Sequence, residues 1–184
     1  MNKILYLVFI AEVNSKSIGE LRNAITLAQK NGYEKINLLI SSGGGNVVEG
    51  LNISAFIRSL SISTDTYNIG QIDSVANVIF SVGEKRYAGK NSSFLFHGVL
   101  MNWEKASFTE KQLEEQYLIS KRLREDIAKK ISEYTGKKEE DINNLMSNGA
   151  TILNAVGALE NGIINAIEDI KIPKGAELIS IGNA

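Results

Sequence analysis

The sequence predicts an α/β fold with a mainly parallel sheet, and three observations support this. Strand-like apolar runs alternate with segments of helical periodicity through the first half of the 184 residues. Glycine-bearing turns at Gly43–Gly45 and Gly70–Ser74 lead from such runs into helices. The run Ile4–Phe9 is continuously apolar, which is typical of a buried parallel strand. This length suits one domain with a sizeable core, so we expect residues 1–184 to form a single domain.

The predicted elements of the first half follow in order. After the strand Ile4–Phe9, Ser17 and Glu20 predict a capping box, and Gly32 stands where a helix C-terminus belongs. A second strand enters the Gly43–Gly45 turn, and a helix with apolar periodicity begins at Val47. The other strands predicted here are Ile36–Ile40, Ser63–Asn68, Lys85–Ala88 and Ser93–His97, and the short apolar segment Val75–Val82 is predicted to be an interior helix.

One long charged helix dominates the second half, from Thr109 to Tyr134. Its start is marked by two capping boxes and its end by Gly136. At 1.5 Å per residue it should be roughly 40 Å long, so we expect it to project and to pack on a neighbouring subunit. The remaining predictions are helices at Glu139–Met146 and Ile152–Leu159, a strand from Gly162 to Ile164, and an extended or edge-strand tail around Pro173.

Composition removes several classes of function. A formal net charge of −1 gives no electrostatic reason to expect nucleic acid or an anionic membrane as partner. The chain has no cysteine, which excludes disulfides, zinc–thiolate sites and a cysteine nucleophile. We expect no metal and no cofactor. No apolar run is long enough to span a membrane. Lys3 and the apolar run to Ala11 imitate a short signal peptide, and a buried first strand is the alternative interpretation.

Two positions can carry nucleophilic catalysis. His97 is the only histidine, so any Ser–His mechanism must use it. Ser74 is the candidate nucleophile because it opens a buried helix at a strand end, where the N–H of Val75 points into the same pocket. A second N–H from the Gly43–Gly45 turn would complete an oxyanion hole. The residues alone leave open that Ser74 is an N-cap serine and His97 a hydrogen-bonded strand residue.

Taken together, the motifs resemble those of the Clp protease proteolytic subunit, ClpP, in the ClpP/crotonase superfamily. Ile40-Ser-Ser-Gly-Gly-Gly, with Gly50 five residues on, resembles that family's Asn-Ser-Pro-Gly-Gly…Gly strand, turn and helix. Gly70-Gln-Ile-Asp-Ser74 resembles its Gly-Gln-Ala-Ala-Ser nucleophile turn, at a matching distance from Gly45. The resemblance covers roughly Lys3 to Ile167. Its further matches are Asn91–His97 with Pro-Asn-Ser/Ala-x-x-Met-Ile-His, the long helix with the family's handle, Thr135–Gly136 with Thr-Gly, and Ala158–Ile164 with Ala-x-x-Tyr-Gly-Leu-Ile/Val.

The resemblance implies a ClpP/crotonase-like spiral of β-β-α units with a projecting handle helix at about residues 107–135. It implies that Ser74 is the nucleophile, His97 the general base, and the N–H groups of Gly45 and Val75 the oxyanion donors. The expected protein is a cytoplasmic serine peptidase that assembles as a ring or stacked rings. Its expected substrates are peptides or unfolded proteins.

The chain departs from the family pattern at three positions and at its N-terminus. The third triad residue, an aspartate, should fall near Gly149 or Ala150, and neither is acidic. Asn148 is the candidate to orient His97 in its place. Asp73 replaces a small residue and is expected to point away from the pocket. Gly43 replaces the motif proline. The first strand starts almost at the first residue, so docking to an unfoldase ATPase is doubtful.

Two other functions compete with the peptidase. A catalytically weak or inactive member would persist as an oligomeric scaffold or binding protein. A crotonase-like acyl-CoA enzyme would use the same oxyanion turn but needs carboxylates that face the acyl group, and Asp73 and Glu49 are the only acids nearby in sequence. The group that hydrogen-bonds His97 discriminates between a catalytic pair and an inactive one.

Overall fold

The computed structural model describes residues 3–100, 107–147 and 149–182. The described strands are β1 (Ile4–Ile10), β2 (Lys35–Ser42), β3 (Ser63–Asp73), β4 (Arg86–Ala88), β5 (Ser93–Phe96), β6 (Thr151–Asn154), β7 (Ala166–Ile167) and β8 (Glu177–Gly182). The described helices are α1 (Ser15–Lys30), α2 (Val47–Ser59), α3 (Ala76–Ser81), α4 (Glu110–Thr135), α5 (Glu139–Ser147) and α6 (Ala155–Glu160).

The described strands form one sheet that divides at β3. The main order is β6-β5-β3-β2-β1-β8, and β4 and β7 extend from β3 on a separate branch. The first half of β3 pairs with β4 at Thr66–Asn68, and its last three residues pair with β5 at Gln71–Asp73. Every pairing among the described strands is parallel except that of β5 with β6. The predicted α/β class with a mainly parallel sheet is therefore confirmed.

The main core lies on one face of the central strands. Alternate residues of β1 and β2 are at most 2% exposed and belong to one apolar cluster, namely Leu5, Leu7, Phe9, Ile36, Leu38 and Ile40. Each such apolar side chain contributes about 1.5–3 kcal/mol when fully buried. All six residues of α3 are buried as well, which agrees with the predicted interior helix. The core thus holds the carboxyl ends of the central strands at one edge of the sheet.

The start of α1 differs from the prediction. Asn14, not Ser17, is the N-cap, and its Oδ1 accepts the Ser17 N–H at 3.0 Å. The Ser17 hydroxyl donates to the Glu12 carbonyl at 2.6 Å and also accepts the Asn14 N–H. The helix begins one turn early because asparagine is as good a cap as serine and its partner at N3 completes the reciprocal pair.

The segment Ile152–Leu159 is where the secondary-structure prediction is wrong. Its first residues form β6, which pairs antiparallel with β5, and α6 begins only at Ala155. Asn154 separates the two elements, since its Oδ1 accepts the Gly157 N–H at 2.8 Å and caps the helix. The strand predicted at Gly162–Ile164 lies instead at β7. The tail forms β8, which pairs with β1 as an edge strand, as predicted.

The long helix is confirmed as α4. Thr109 caps its start in a capping box with Gln112, and Gly136, at φ 74°, ends it. Its 26 residues span about 39 Å. Ile127, Ala128 and Ile131 are buried, whereas Leu113 and Tyr117 nearer its start are 45% and 65% exposed. Within the described residues, no helix combines the length and hydropathy needed to cross a bilayer.

Candidate active site

Ser74 occupies a strained turn between β3 and α3. Its φ of 55° makes it the one non-glycine residue with positive φ in the described ranges. Such a conformation is uncommon for a residue with a Cβ atom and persists only where the surrounding structure holds it. The Ser74 N–H donates to the Leu95 carbonyl of β5 at 2.9 Å. The turn therefore ties the serine to the strand that ends just before His97.

Asn77 is a residue of this site that the sequence analysis missed. It is 1% exposed, and its Nδ2 donates to the Ser74 carbonyl at 3.0 Å and the Leu95 carbonyl at 2.9 Å. One amide thus clamps the serine turn to the histidine strand. The sequence did contain a signal for this residue, because Asn77 is the single amide in the otherwise apolar run Val75–Phe80. A buried amide must form a hydrogen bond with a nearby group.

The glycine turn after β2 packs directly against the serine turn. Gly44 and Gly45 have φ values of 83° and 140°. A Cβ atom on Gly44 would lie 2.7 Å from the Asp73 carbonyl oxygen and 2.8 Å from the Ser74 Cβ. Only glycine permits both this conformation and this close approach. The sequence prediction that these two turns meet is consistent with this contact.

Within the described part of the chain, the two N–H groups predicted to be oxyanion donors donate no hydrogen bond. Gly45 forms a β-bridge with Val13, but that bridge uses the Gly44 carbonyl and the Asn46 N–H, each at 2.7 Å. Val75 lies between the end of β3 and the start of α3 and is fully buried. Neither the Gly45 N–H nor the Val75 N–H donates to an acceptor within residues 3–100, 107–147 and 149–182.

His97 directly follows β5, and its ring is held by the main chain. The Nδ1 atom lies 2.6 Å from the Gly98 carbonyl oxygen. A carbonyl oxygen can only accept, so this contact places the proton of the neutral ring on Nδ1 and leaves Nε2 as an acceptor. Ser74 and His97, both in the described ranges, are not hydrogen-bonded to each other here, although catalytic bonds are often long before substrate binds.

Asp73 directly precedes Ser74 and is the acidic residue whose pKa responds to His97. Partial burial raises the pKa of the Asp73 carboxyl, and the positive charge of His97 opposes that rise. Asp73 is not among the residues that line the cleft described below, and the expectation that its side chain points away from the pocket stays a prediction.

One cleft brings the candidate residues together. Its volume is about 470 Å³, and Ser74, His97 and Gly45 all line it. Glu12, Asn46 and Val99 also line this cleft. A smaller cleft of about 310 Å³ beside Tyr67 and Glu168 is lined by neither Ser74 nor His97. Within the described residues, the predicted nucleophile, base and one oxyanion donor thus converge on the larger cleft.

The position opposite His97 holds no carboxylate. Phe96 and Thr151 are the last pair of the antiparallel ladder between β5 and β6, and His97 and Ala150 are the residues directly beyond that pair. This agrees with the place where the sequence analysis expected a third residue. Asn148, the predicted orienting residue, lies outside the described residues, so its role stays a prediction.

Comparisons with known proteins agree with the motifs. A family model described as Clp protease matches residues 3–171. A curated relative, the ATP-dependent Clp protease proteolytic subunit 1 of Chlamydia felis (strain Fe/C-56), is 30% identical over 122 residues, which are 63% of this chain and 57% of that protein. The match therefore spans little more than half of that relative's length.

A solved structure supports the fold at lower identity. A ClpP1 mutant from Listeria monocytogenes matches with a TM-score of 0.79 and 22% identity, covering 90% of this chain and 92% of that one. At this identity the likeness establishes the fold alone, and it confirms the predicted ClpP-like architecture.

Proposed function

The chain belongs to the Clp protease family, and from this premise we propose that it is a serine peptidase that hydrolyses peptide bonds through Ser74 and His97. The observation that carries the proposal is the convergence of Ser74, His97 and Gly45 on one cleft. These three residues come from three separate strand ends, and nothing in a purely structural role requires them to share a pocket.

Each step of the proposed reaction has a group in this cleft. The Ser74 Oγ attacks the carbonyl carbon of the scissile peptide bond, and the Nε2 of His97 takes the hydroxyl proton. The negative charge that develops on the former carbonyl oxygen is received by the N–H groups of Gly45 and Val75, which have no described acceptor of their own.

The tetrahedral intermediate then collapses. The C–N bond breaks, the imidazolium gives its proton to the leaving amine, and the acyl group remains on Ser74. A water molecule attacks the ester while His97 takes one of its protons. Breakage of the ester bond releases the carboxylic acid product and returns the proton to the Ser74 oxygen.

We further propose that residues 1–184 act as one domain within a ring or stacked rings. The support is the position of α4, whose first half carries the exposed apolar side chains of Leu113 and Tyr117. Exposed apolar residues at helical spacing favour an interface with another subunit. Peptide or unfolded-protein substrates and a cytoplasmic location remain part of this proposal. Light scattering of the purified protein is expected to give a multiple of the chain mass, and a monomer would contradict the assembly.

A covalent probe tests the catalytic proposal directly. We expect a fluorophosphonate to label the wild-type protein at neutral pH and the Ser74→Ala variant to lose all labelling. Ser59→Ala is the matched control, because it removes an exposed hydroxyl that bonds only within α2. Circular dichroism should show that both variants are folded. A folded wild-type protein that takes up no probe would refute the peptidase and favour a scaffold.

A further inference from the structure

We propose that Glu12 directs the cleft toward peptides that carry a lysine or arginine beside the scissile bond. Glu12 is the one acidic side chain among the described residues that line the cleft of Ser74 and His97. The inference names the substrate class of that site and rests on the proposed function. Glu12 acts here as a specificity-determining residue and takes no part in the bond-breaking steps.

The main chain around Glu12 is fixed by hydrogen bonds. The Val13 N–H donates to the Gly44 carbonyl at 2.7 Å, and the Val13 carbonyl accepts the Asn46 N–H at 2.7 Å. The Glu12 carbonyl itself accepts the Ser17 hydroxyl at 2.6 Å. Glu12 is therefore held at a defined place between β1 and α1, against the glycine turn.

The Glu12 side chain runs beside the proposed oxyanion donor. A Cβ atom on Gly45 would lie 3.1 Å from the Glu12 Cγ. A Cβ atom on Gly44, the preceding residue, would lie 2.8 Å from the Ser74 Cβ. The side chains of Glu12 and Ser74 thus flank one dipeptide of the turn. A substrate whose scissile carbonyl is received by the Gly45 N–H consequently has a neighbouring side chain within reach of the Glu12 carboxylate.

The carboxylate of Glu12 is free to bind a substrate cation. It is exposed, and it forms no hydrogen bond or ion pair within residues 3–100, 107–147 and 149–182. The amide oxygen of Asn46, which lines the same cleft, already accepts the Glu49 N–H at 3.0 Å. No lysine or arginine is among the described residues that line the cleft. A basic substrate side chain therefore finds a partner of opposite charge and no fixed ammonium or guanidinium group to repel it.

Lys16 is the basic residue nearest to Glu12 in sequence, and it faces a different space. It lines a neighbouring cleft of about 220 Å³ together with Glu12, Asn14 and Glu20. Glu12 thus lies on the wall that the two clefts share, and no salt bridge joins it to Lys16 in the described structure. The neighbouring cleft already holds a cation, so an added cation is attracted more strongly to the Ser74 side.

The apolar part of the cleft suits the stem of a basic side chain. Val47, Val99 and Leu100 also line it. Lysine and arginine bury their methylene groups along apolar surface and keep the charged end in water or against a carboxylate. A cleft that combines apolar side chains with one carboxylate matches such a side chain better than a purely aliphatic or an acidic one.

Two covalent probes that differ only in charge test the inference. They are the diphenyl phosphonate analogues of acetyl-lysine and acetyl-norleucine, which react with an activated serine. Because the amino group is acetylated, the lysine side chain carries the only cation of the first probe. We expect the lysine probe to label the wild-type protein about two- to fivefold faster, as for an ion pair with an exposed carboxylate. In about 1 M NaCl, where the Debye length is about 3 Å, this ratio should fall.

Substitutions assign the preference to one carboxylate. Glu12→Gln should bring the ratio of the two labelling rates to about one, and Glu12→Lys should reverse it. Glu20→Gln is the matched control, since it removes the same charge from an exposed position that lines the neighbouring cleft and not this one. That control should keep the wild-type ratio. Circular dichroism is expected to show that all three variants are folded.

Peptides extend the test to substrates. In internally quenched, N-acetylated peptides, exchange of a lysine beside the cleaved bond for norleucine should lower kcat/KM by the same factor, with the bond identified by mass spectrometry. Equal labelling by the two probes, a preference that survives Glu12→Gln, or its loss in Glu20→Gln would overturn the inference while the peptidase proposal stands. If neither these probes nor the fluorophosphonate labels the folded wild-type protein, the proposed function fails and the inference fails with it.

Discussion

The position opposite His97 offers a gain-of-function experiment. Replacement of Ala150 by aspartate would put a carboxylate directly beyond the last β5–β6 pair, where one further step of the ladder would set it opposite the imidazole. Residues directly opposite in an antiparallel pair have Cβ atoms about 4.5–5.5 Å apart, which is within reach of a hydrogen bond between these two side chains. We expect Ala150→Asp to be more active than the wild-type protein, because the new bond carries a charge that the Gly98 carbonyl lacks.

The size of the gain follows from the bond that is exchanged. A hydrogen bond between neutral groups contributes about 0.5–1.5 kcal/mol and one to a charged group about 1.5–3 kcal/mol, so the exchange is worth about 1–2 kcal/mol. This corresponds to an increase of about five- to thirtyfold in kcat. It is smaller than the roughly 10⁴-fold effect of the aspartate in a complete triad, because the carbonyl already fixes the tautomer and Ala150 lies at an exposed position.

The assay is steady-state hydrolysis of a fluorogenic peptide, with fluorophosphonate labelling rates as a second measure. Ala150→Asn is the matched control, since it has the same shape without the charge and should give little of the increase. Thermal melts exclude a change in stability as the cause. Equal activities of the aspartate, asparagine and wild-type proteins would refute the argument that His97 lacks a charged partner on β6.

Three further predictions follow from the same turns. Burial raises the pKa of the Asp73 carboxyl, so the ionised carboxylate destabilises the folded protein above that pKa. Asp73→Asn should therefore raise Tm at neutral pH, and the difference should disappear as the pH falls through that pKa. Differential scanning calorimetry across pH measures this, and an unchanged or lower Tm at neutral pH would contradict it. Gly44→Ala should lower the free energy of unfolding, measured in urea, by about 2–4 kcal/mol and abolish probe labelling. The reason is that the new Cβ would lie 2.7 Å from the Asp73 carbonyl oxygen, at a residue whose φ is 83°. Normal stability would refute this prediction. Asn77→Ala should lower the free energy of unfolding by about 2 kcal/mol and reduce kcat more than it changes KM, because the Ser74 and Leu95 carbonyls lose a buried donor. An unaltered kcat would show that the Asn77 side chain does not position the serine.

Local sequence signals predicted the first half of the fold well. The glycine turns at the ends of β2 and β3, and the start of a helix after each, reflect short-range preferences that tertiary contacts rarely reverse. The segment Ile152–Leu159 shows where this fails. Its apolar residues suit a helix or a strand, and the free edge of β5, distant in sequence, decides in favour of β6 for its first residues.

The site could be predicted only in part. The residues alone made Ser74 and His97 candidates, but only the family resemblance assigned their roles and singled out Gly45, because separation along the chain conceals that the three share one cleft. The contacts of Asn77 and of the Gly98 carbonyl depend on how β3 pairs with β5 and on main-chain direction. Strand pairing and main-chain direction are set only when the chain folds, so no local sequence pattern predicts these contacts.

The burial of α3 has a consequence for regulation. Every residue of this helix is buried, so the hydroxyl of Ser74 is attached to an element that cannot shift without opening the core. The imidazole follows a four-residue strand whose partner on one side is equally short. A rearrangement of this site would therefore displace the histidine more readily than the serine.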